Sequence, residues 1–175
     1  MASPGRYRFL VVGESCLHPG MRARLATLLA GILDDGQRYL EDAWRTLPPA
    51  FRVVALGPEG AVVGQASCFW VPCVPAARVL GLGDVAVDPE HRRRQVARTL
   101  CRLATREGRR RGARAVVAKT TPLRSVLGDL GYVAIDDFRF YYEDEGARAC
   151  ARHPDWMAAA FGEVPPRLRF VEGDF

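Results

Sequence analysis

Three consecutive arginines, Arg92, Arg93 and Arg94, stand directly before an amphipathic stretch that begins at Gln95, Val96 and Ala97. The first N–H groups of a helix have no intrahelical partner and form an anion site, to which the helix dipole adds about 0.3–1 kcal/mol for a nearby negative charge. Arginine supplies further charged donors in a geometry that matches phosphate. A pyrophosphate suits this arrangement; the competing reading is a solvated basic helix start. The loop is fed by the apolar run Val85-Ala86-Val87 and an Asp88-Pro89 turn, in which Asp88 is placed to cap the loop. A second pattern, Gly81-Leu82-Gly83-Asp84-Val85-Ala86, has the spacing of a dinucleotide fingerprint. It enters a strand and a proline turn instead of opening a helix, which excludes that chemistry. Glu143, Asp144 and Glu145 follow Tyr141 and Tyr142; they either gather a cationic substrate or form a solvated strand end.

The elements that must position these residues follow from periodicity. Residues 8–12 read as a strand and residues 21–33 as a helix, with Leu25, Leu28, Leu29 and Ile32 on one face. A second helix is expected over 37–46, ended by Leu47-Pro48-Pro49, because proline removes a donor and restricts the residue before it. Residues 51–56, 61–71 and 79–87 read as strands, the first two joined as a hairpin through Gly57-Pro58-Glu59-Gly60. From 95 to 111 the apolar Val96, Leu100, Leu103 and Ala104 recur at helical spacing, and Gly112 closes the helix. A short strand over 115–118 follows, then a helix with Thr121 as N-cap and Pro122 as its first residue, reaching Leu130-Gly131. Strands are expected over 132–135 and 138–143, and the tail over 146–175 carries a short helix at 155–161 and a last extended piece.

The whole chain sets outer bounds. Its 175 residues suffice for one domain with a core of its own, and the expectation is a single domain over 1–175 with its core at about 7–145. About half of the residues are apolar and a quarter charged, the balance of an ordinary soluble protein. No run of about 18 apolar residues occurs, and residues 1–13 lack the features of a signal peptide; the expected location is cytoplasmic, with no membrane partner. Cys16, Cys68, Cys73, Cys101 and Cys150 are odd in number and contain no C-x-x-C, so they read as mostly buried thiols with no metal site. The net charge of +5 rests almost entirely on arginine, Lys119 being the one lysine. Without interleaved aromatics it does not point to nucleic acid.

The order of elements resembles the GCN5-related N-acetyltransferases (GNAT) over roughly residues 7–145. More specifically, the segment from Val85 to Ala97 resembles that family's acyl-CoA motif, a strand ending in V-D-P-x-x-R followed by [RQ]-x-x-G-x-[GA] at a helix start, with Arg92 in first place and Ala97 in last. Gln95 stands where the family has glycine, so the backbone either reaches the phosphates without glycine's freedom or bends differently. Residues Thr121 to Tyr132 resemble the second motif, N-P-x-x-x-L-Y-x-x-L-G-F, through Pro122, Leu130, Gly131 and Tyr132. Leu127 occupies the place of the tyrosine that in many members protonates the leaving thiolate, and Tyr132 takes an aromatic position that reads as core. Around residues 82–87 there is a looser resemblance to the aminoglycoside 2'-N-acetyltransferase branch.

The resemblance implies an α/β fold with a central mixed sheet flanked by helices and splayed at the acyl-CoA site, where pantetheine lies against the backbone of Val85, Ala86 and Val87 like an added strand. It implies acetyl-CoA as co-substrate, held by residues 85–87, 92–97 and Thr121, with no metal. The acceptor is a primary amine of a small molecule, an antibiotic or metabolite; the alternatives are a protein or peptide amine, or a non-catalytic CoA-binding module. An ammonium has no lone pair, and a carboxylate, directly or through water, can remove its proton. Asp84, on the strand leading to the loop, is the candidate base, and a structural turn or edge aspartate is the other reading. Trp70, Tyr141 and Glu143 are candidate acceptor contacts, Trp70 being otherwise a core or rim residue. The oligomeric expectation is a monomer or homodimer.

Overall fold

The computed structural model describes residues 7–33, 48–71, 73–74, 76–120, 122–134, 139–141, 150–152, 157–160 and 167–169. In chain order the described elements are β1 (Arg8–Gly13), α1 (Pro19–Ala30), β2 (Phe51–Leu56), β3 (Val62–Val71), β4 (Cys73–Val74), β5 (Val79–Val87), α2 (Val96–Arg110), β6 (Ala115–Lys119), α3 (Arg124–Asp129), β7 (Val133–Ala134), β8 (Arg139–Tyr141), β9 (Cys150–Arg152), β10 (Met157–Ala160) and β11 (Arg167–Arg169). The main mixed sheet has the order β1-β2-β3-β5-β6-β10-β7, and a second sheet the order β4-β11-β8-β9. The residues cluster into two compact units, Met1–Cys68 with Asp84–Ala104, and Phe69–Gly83 with Thr105–Phe175.

In the first unit β1, β2 and β3 form an antiparallel meander, Arg8 opposite Leu56 and Phe51 opposite Cys68. The β2–β3 hairpin turns through Gly57 and Gly60, with Gly60 N–H donating to Gly57 and Gly60 at φ +80°. Strand β2 is buried along its whole length, as expected of a strand covered on both faces. Helix α1 starts two residues earlier than its apolar spacing suggests. Pro19 is its first residue, and His18 Nδ1 accepts the Gly20 N–H at 3.2 Å, a cap for one of the orphan donors. Leu25, Ala26 and Leu29 are its buried face, against Val54, Leu56 and Ala86. Leu25 and Leu29 are fully buried, each contributing about 1.5–3 kcal/mol. The helix expected over 37–46 lies outside the described residues.

In the second unit β5 and β6 pair in parallel, Val79 with Ala115 through Leu82 with Ala118. Parallel neighbours need a long crossover, and α2 supplies it. The buried stripe of α2 differs from the expected one: Cys101 is buried and Leu103 only partly so. The helix also approaches the sheet closely at Gly108, where a Cβ would stand 2.6 Å from Leu80 Cδ2 and 3.2 Å from Val116 Cγ2. Helix α3 is shorter than expected and lacks the threonine cap. It begins at Arg124 with Leu123 as N-cap and no side-chain cap bond. The hydroxyl of Thr120 instead accepts the Leu123 N–H at 3.4 Å, so Pro122 and Leu123 close a turn ahead of the helix. Its far end is as read: Gly131, at φ +83°, donates to Gly128, and Tyr132 N–H reaches Leu127, the left-handed glycine cap of a helix.

The tail departs most from expectation. Met157–Ala160, expected within a helix at 155–161, is strand β10, paired antiparallel with both β6 and β7. Alanine favours helix, but here β6 offers partners to all four residues and β7 to Ala158 and Ala159, and that tertiary gain outweighs propensities of a few tenths of a kcal/mol per residue. The last extended piece has partners too, β11 lying parallel to β8 and antiparallel to β4.

Candidate active site

The β5–β6 ladder ends at Leu82, two residues before Asp84. Asp84 then takes φ +46°, a left-handed conformation that asparagine and aspartate tolerate better than most residues. Its carbonyl accepts the Gln65 Nε2–H at 2.7 Å, and its side chain is partly buried. Val85 is partly buried, while Ala86 and Val87 are buried. On β3, a Cβ at Gly64 would meet Ala86 O at 3.0 Å and the side chains of Leu100 and Val96 at 3.3 Å. A glycine there lets the start of α2 close down over the end of β5.

The loop itself is built in three steps. Asp88 Oδ1 accepts the Glu90 N–H at 2.9 Å, and Pro89–His91 forms one 3-10 turn. This is the capping role expected of Asp88. Arg92 then folds back, its Nε donating to Val87 O at 3.2 Å. Finally Arg93, at φ +58°, and Gln95, at φ +62°, are both left-handed. Between them Arg94 is not, and alternation of left-handed with other residues is the backbone pattern found in anion-binding concavities. Gln95 therefore adopts the backbone conformation for which glycine is suited, without being glycine. Helix α2 opens at Val96, with Thr99 N–H donating to Gln95 O at 3.0 Å. Arg92, Arg93, Arg94 and Gln95 are exposed, Val96 is buried and Ala97 partly so.

Two groups of residues join this region that the sequence did not single out. Tyr7 OH and His91 Nδ1 lie 2.9 Å apart, with rings edge to face, and Arg94 Nη1 reaches Tyr7 OH at 3.5 Å. Beneath Asp84 lies a buried polar row. Arg52 is fully buried and bridges Glu14 at 2.8 Å; Gln65 and Ser67 beside it are also fully buried. Removing one partner of such a buried pair costs about 3–5 kcal/mol. The signal was present as period two: Gln65 and Ser67 interrupt an otherwise apolar strand on one face, opposite Arg52 and Val54.

The other candidates fall elsewhere. Asp84, Val85, Ala86, Val87 and residues 92–97 belong to the first unit, whereas Trp70 and Tyr141 belong to the second. Trp70 is partly buried, with the Arg78 guanidinium carbon 4.3 Å from its ring centroid, a cation–π contact. Tyr141 lies in β8, opposite Cys150. Thr121 and Glu143 lie outside the described residues. Leu127 is fully buried, and Tyr132 is buried with its hydroxyl 2.8 Å from Thr105 Oγ1, the core role read for it. Cys68 and Cys101 are buried and Cys16 is exposed. Burial pushes the Cys101 thiol up to about 12, which removes it as a nucleophile. Among the described residues no group of three His, Cys, Asp or Glu could hold a metal ion, and no helix is long and apolar enough to cross a membrane. A groove of about 770 Å³ runs between α1 and the β2–β3 turn as far as Asp88 and Pro89; neither Asp84 nor residues 92–97 line it.

Solved structures share this architecture. The GNAT family N-acetyltransferase YhbS from Escherichia coli, in complex with CoA, superposes with a TM-score of 0.71 at 16% identity, over 97% of this chain and 92% of that one. An acyl-CoA N-acyltransferase from Pseudomonas aeruginosa gives 0.65 at 13% identity, over 88% and 99%. A GNAT family acetyltransferase from Brucella melitensis, in complex with acetyl-CoA, gives 0.58 at 20% identity, over 73% and 84%. No curated protein matches the chain in sequence. The sequence pattern of the acetyltransferase (GNAT) family matches residues 22–126, a span that takes in β2, β3, β5 and the left-handed loop at the start of α2. The chain therefore belongs to the acetyltransferase (GNAT) family.

Proposed function

We propose that the protein moves an acetyl group from acetyl-CoA to a primary amine of a small molecule, with Asp84 as general base. The observation that carries this reading is the pair of left-handed residues, Arg93 and Gln95, ahead of α2. Together with three exposed arginines they make an anion cradle at the end of β5 in this reading, and a pyrophosphate matches its charge. The end of the β5–β6 ladder at Leu82 supports pairing of pantetheine with the backbone of Val85, Ala86 and Val87. The CoA and acetyl-CoA bound to the two neighbouring structures are consistent with this donor.

In this reading the amine nitrogen attacks the thioester carbonyl carbon, the new C–N bond forms and the C–S bond breaks. Asp84 takes the proton from the nitrogen, directly or through water. CoA leaves as thiolate, whose pKa resembles the roughly 8.5 of a free thiol, so it needs no strong acid, in keeping with a buried leucine at 127. The demanding step is removal of the amine proton.

Two measurements test the proposal. CoA and acetyl-CoA should raise the unfolding free energy by about 2.7 kcal/mol at a hundredfold excess over Kd; absence of any shift at millimolar ligand sinks the donor assignment. Kanamycin, spermidine and a lysine-containing tetrapeptide are then offered with acetyl-CoA and thiol release is followed. Turnover of the peptide alone would overturn the small-molecule acceptor. With the fastest amine, Asp84→Asn should lower the rate by about 10² or more at pH 7. The deficit should shrink as pH rises and free amine accumulates.

A further inference from the structure

Arg52 is a fully buried guanidinium on β2 that acyl transfer at the loop does not use. It is held by Glu14, whose carboxylate accepts from Arg52 Nε and from Arg22 Nη1, both at 2.8 Å. On its other side Arg52 Nη1 donates to Gln65 Oε1 at 2.9 Å and to Ser67 Oγ at 2.8 Å. Gln65 Nε2 donates to Ser67 Oγ at 3.1 Å and to the carbonyl of Asp84 at 2.7 Å. A guanidinium only donates and a peptide carbonyl only accepts. The group between them must accept at one end and donate at the other, which is what a carboxamide does. Both ends of Gln65 are thus fixed in one orientation, and the row runs from α1 across β2 and β3 to the one residue of β5 with a left-handed backbone, Asp84 at φ +46°.

We propose that Gln65 is a positioning residue for the transfer reaction: oriented by Arg52, its carboxamide anchors the Asp84 carbonyl and keeps Asp84 in the left-handed conformation that sets where its carboxylate stands. This rests on the reading of Asp84 as the base. A left-handed backbone is unfavourable for an L residue, and at 2.7 Å the Gln65 bond is the short, partly buried interaction that offsets it. Ser67 Oγ accepts from both Arg52 Nη1 and Gln65 Nε2 and closes the row sideways, so the carboxamide cannot rotate without breaking bonds on both sides.

The test uses Gln65→Met, which keeps the length and removes both bonds, and Gln65→Glu, which keeps an acceptor for Arg52 and removes the donor to Asp84. Crystal structures of both variants read φ at residue 84 and need no acceptor. Steady-state rates with the fastest of the three amines are measured in the wild type and in Asp84→Asn. The expected result is a negative φ at Asp84, a kcat lower by about tenfold or more, as for a misplaced catalytic group, and an acetyl-CoA KM within about threefold of wild type. In the Asp84→Asn background the Gln65 substitutions should cause no further fall. If φ stays near its present value in both variants, or the fall recurs undiminished in Asp84→Asn, Gln65 is merely structural and the proposal is overturned. Should Gln65→Met fail to fold, Gln65→Glu carries the same comparison. Asp84→Asn at near-full activity refutes the base assignment itself, a result separate from the φ measurement.

Discussion

Replacing Gln95 with glycine is the sharpest probe of the loop. Gln95 is exposed, so its side chain contributes little packing, while its backbone sits at φ +62°. A left-handed L residue costs about 1–2 kcal/mol, and glycine loses an extra 0.5–1 kcal/mol or so of chain entropy on folding. The balance is about 0–1.5 kcal/mol in favour of Gln95→Gly. At roughly 2–4 °C per kcal/mol for a chain of this size, the unfolding midpoint should rise by up to about 6 °C. Because the conformation proposed to receive the phosphates is already formed, CoA affinity should change by no more than about threefold, well under 1.4 kcal/mol. Gln95→Val is the opposite control, since a β-branched residue at this φ is a genuine outlier; it should lower both the midpoint and the affinity. Thermal unfolding and isothermal titration with CoA read both quantities. A fall in midpoint for Gln95→Gly, or a tenfold loss of CoA affinity, would show that the amide side chain and not the backbone does the work.

Other outcomes follow from the same geometry. Arg94→Ala should weaken CoA more than pantetheine, because the proposed partner is the pyrophosphate; equal losses by titration would place Arg94 elsewhere. Gly64→Ala puts a methyl 3.0 Å from Ala86 O and 3.3 Å from Leu100 and should cost about 1–3 kcal/mol of stability, with weaker acetyl-CoA binding as β5 is displaced; an unchanged midpoint would contradict the close approach. Glu107 is held down to about 2 from 4.5 by its hydrogen bond from Arg110, with Arg111 adding to it. Its pKa is lower folded than unfolded, so its contribution is complete above about pH 4.5 and is lost as pH falls toward 2. Glu107→Gln should therefore flatten the stability profile in that window and nowhere else, as followed by urea unfolding at each pH.

Much of this protein is legible from local rules. Strand β5 and the helix that follows it were read to within a residue, because the V-D-P turn, the amphipathic run after Val96 and the glycine at 112 all act within a few residues of chain. The same locality made Asp88 readable as a cap and Tyr132 as core. Tertiary structure decided what depends on distant partners. Met157–Ala160 is a strand because β6 and β7 flank it, against the propensity of three alanines. The helix expected to start at Pro122 starts at Arg124, with Leu123 as its N-cap, because the turn before it uses Thr120. The row from Glu14 through Arg52 and Gln65 to Asp84 joins residues up to 38 apart in a single ion pair, and only the pairing of β2 with β3 sets Arg52 opposite Ser67. Above all, sequence could state that Gln95 replaces a glycine but not which way the chain would bend. That choice was made by the packing of Val96 and Leu100 near Gly64 and by the anchoring of Arg92 to Val87, contacts that fix where α2 starts and leave residue 95 to take up the turn, since packed side chains cost more to move than one backbone angle costs to strain.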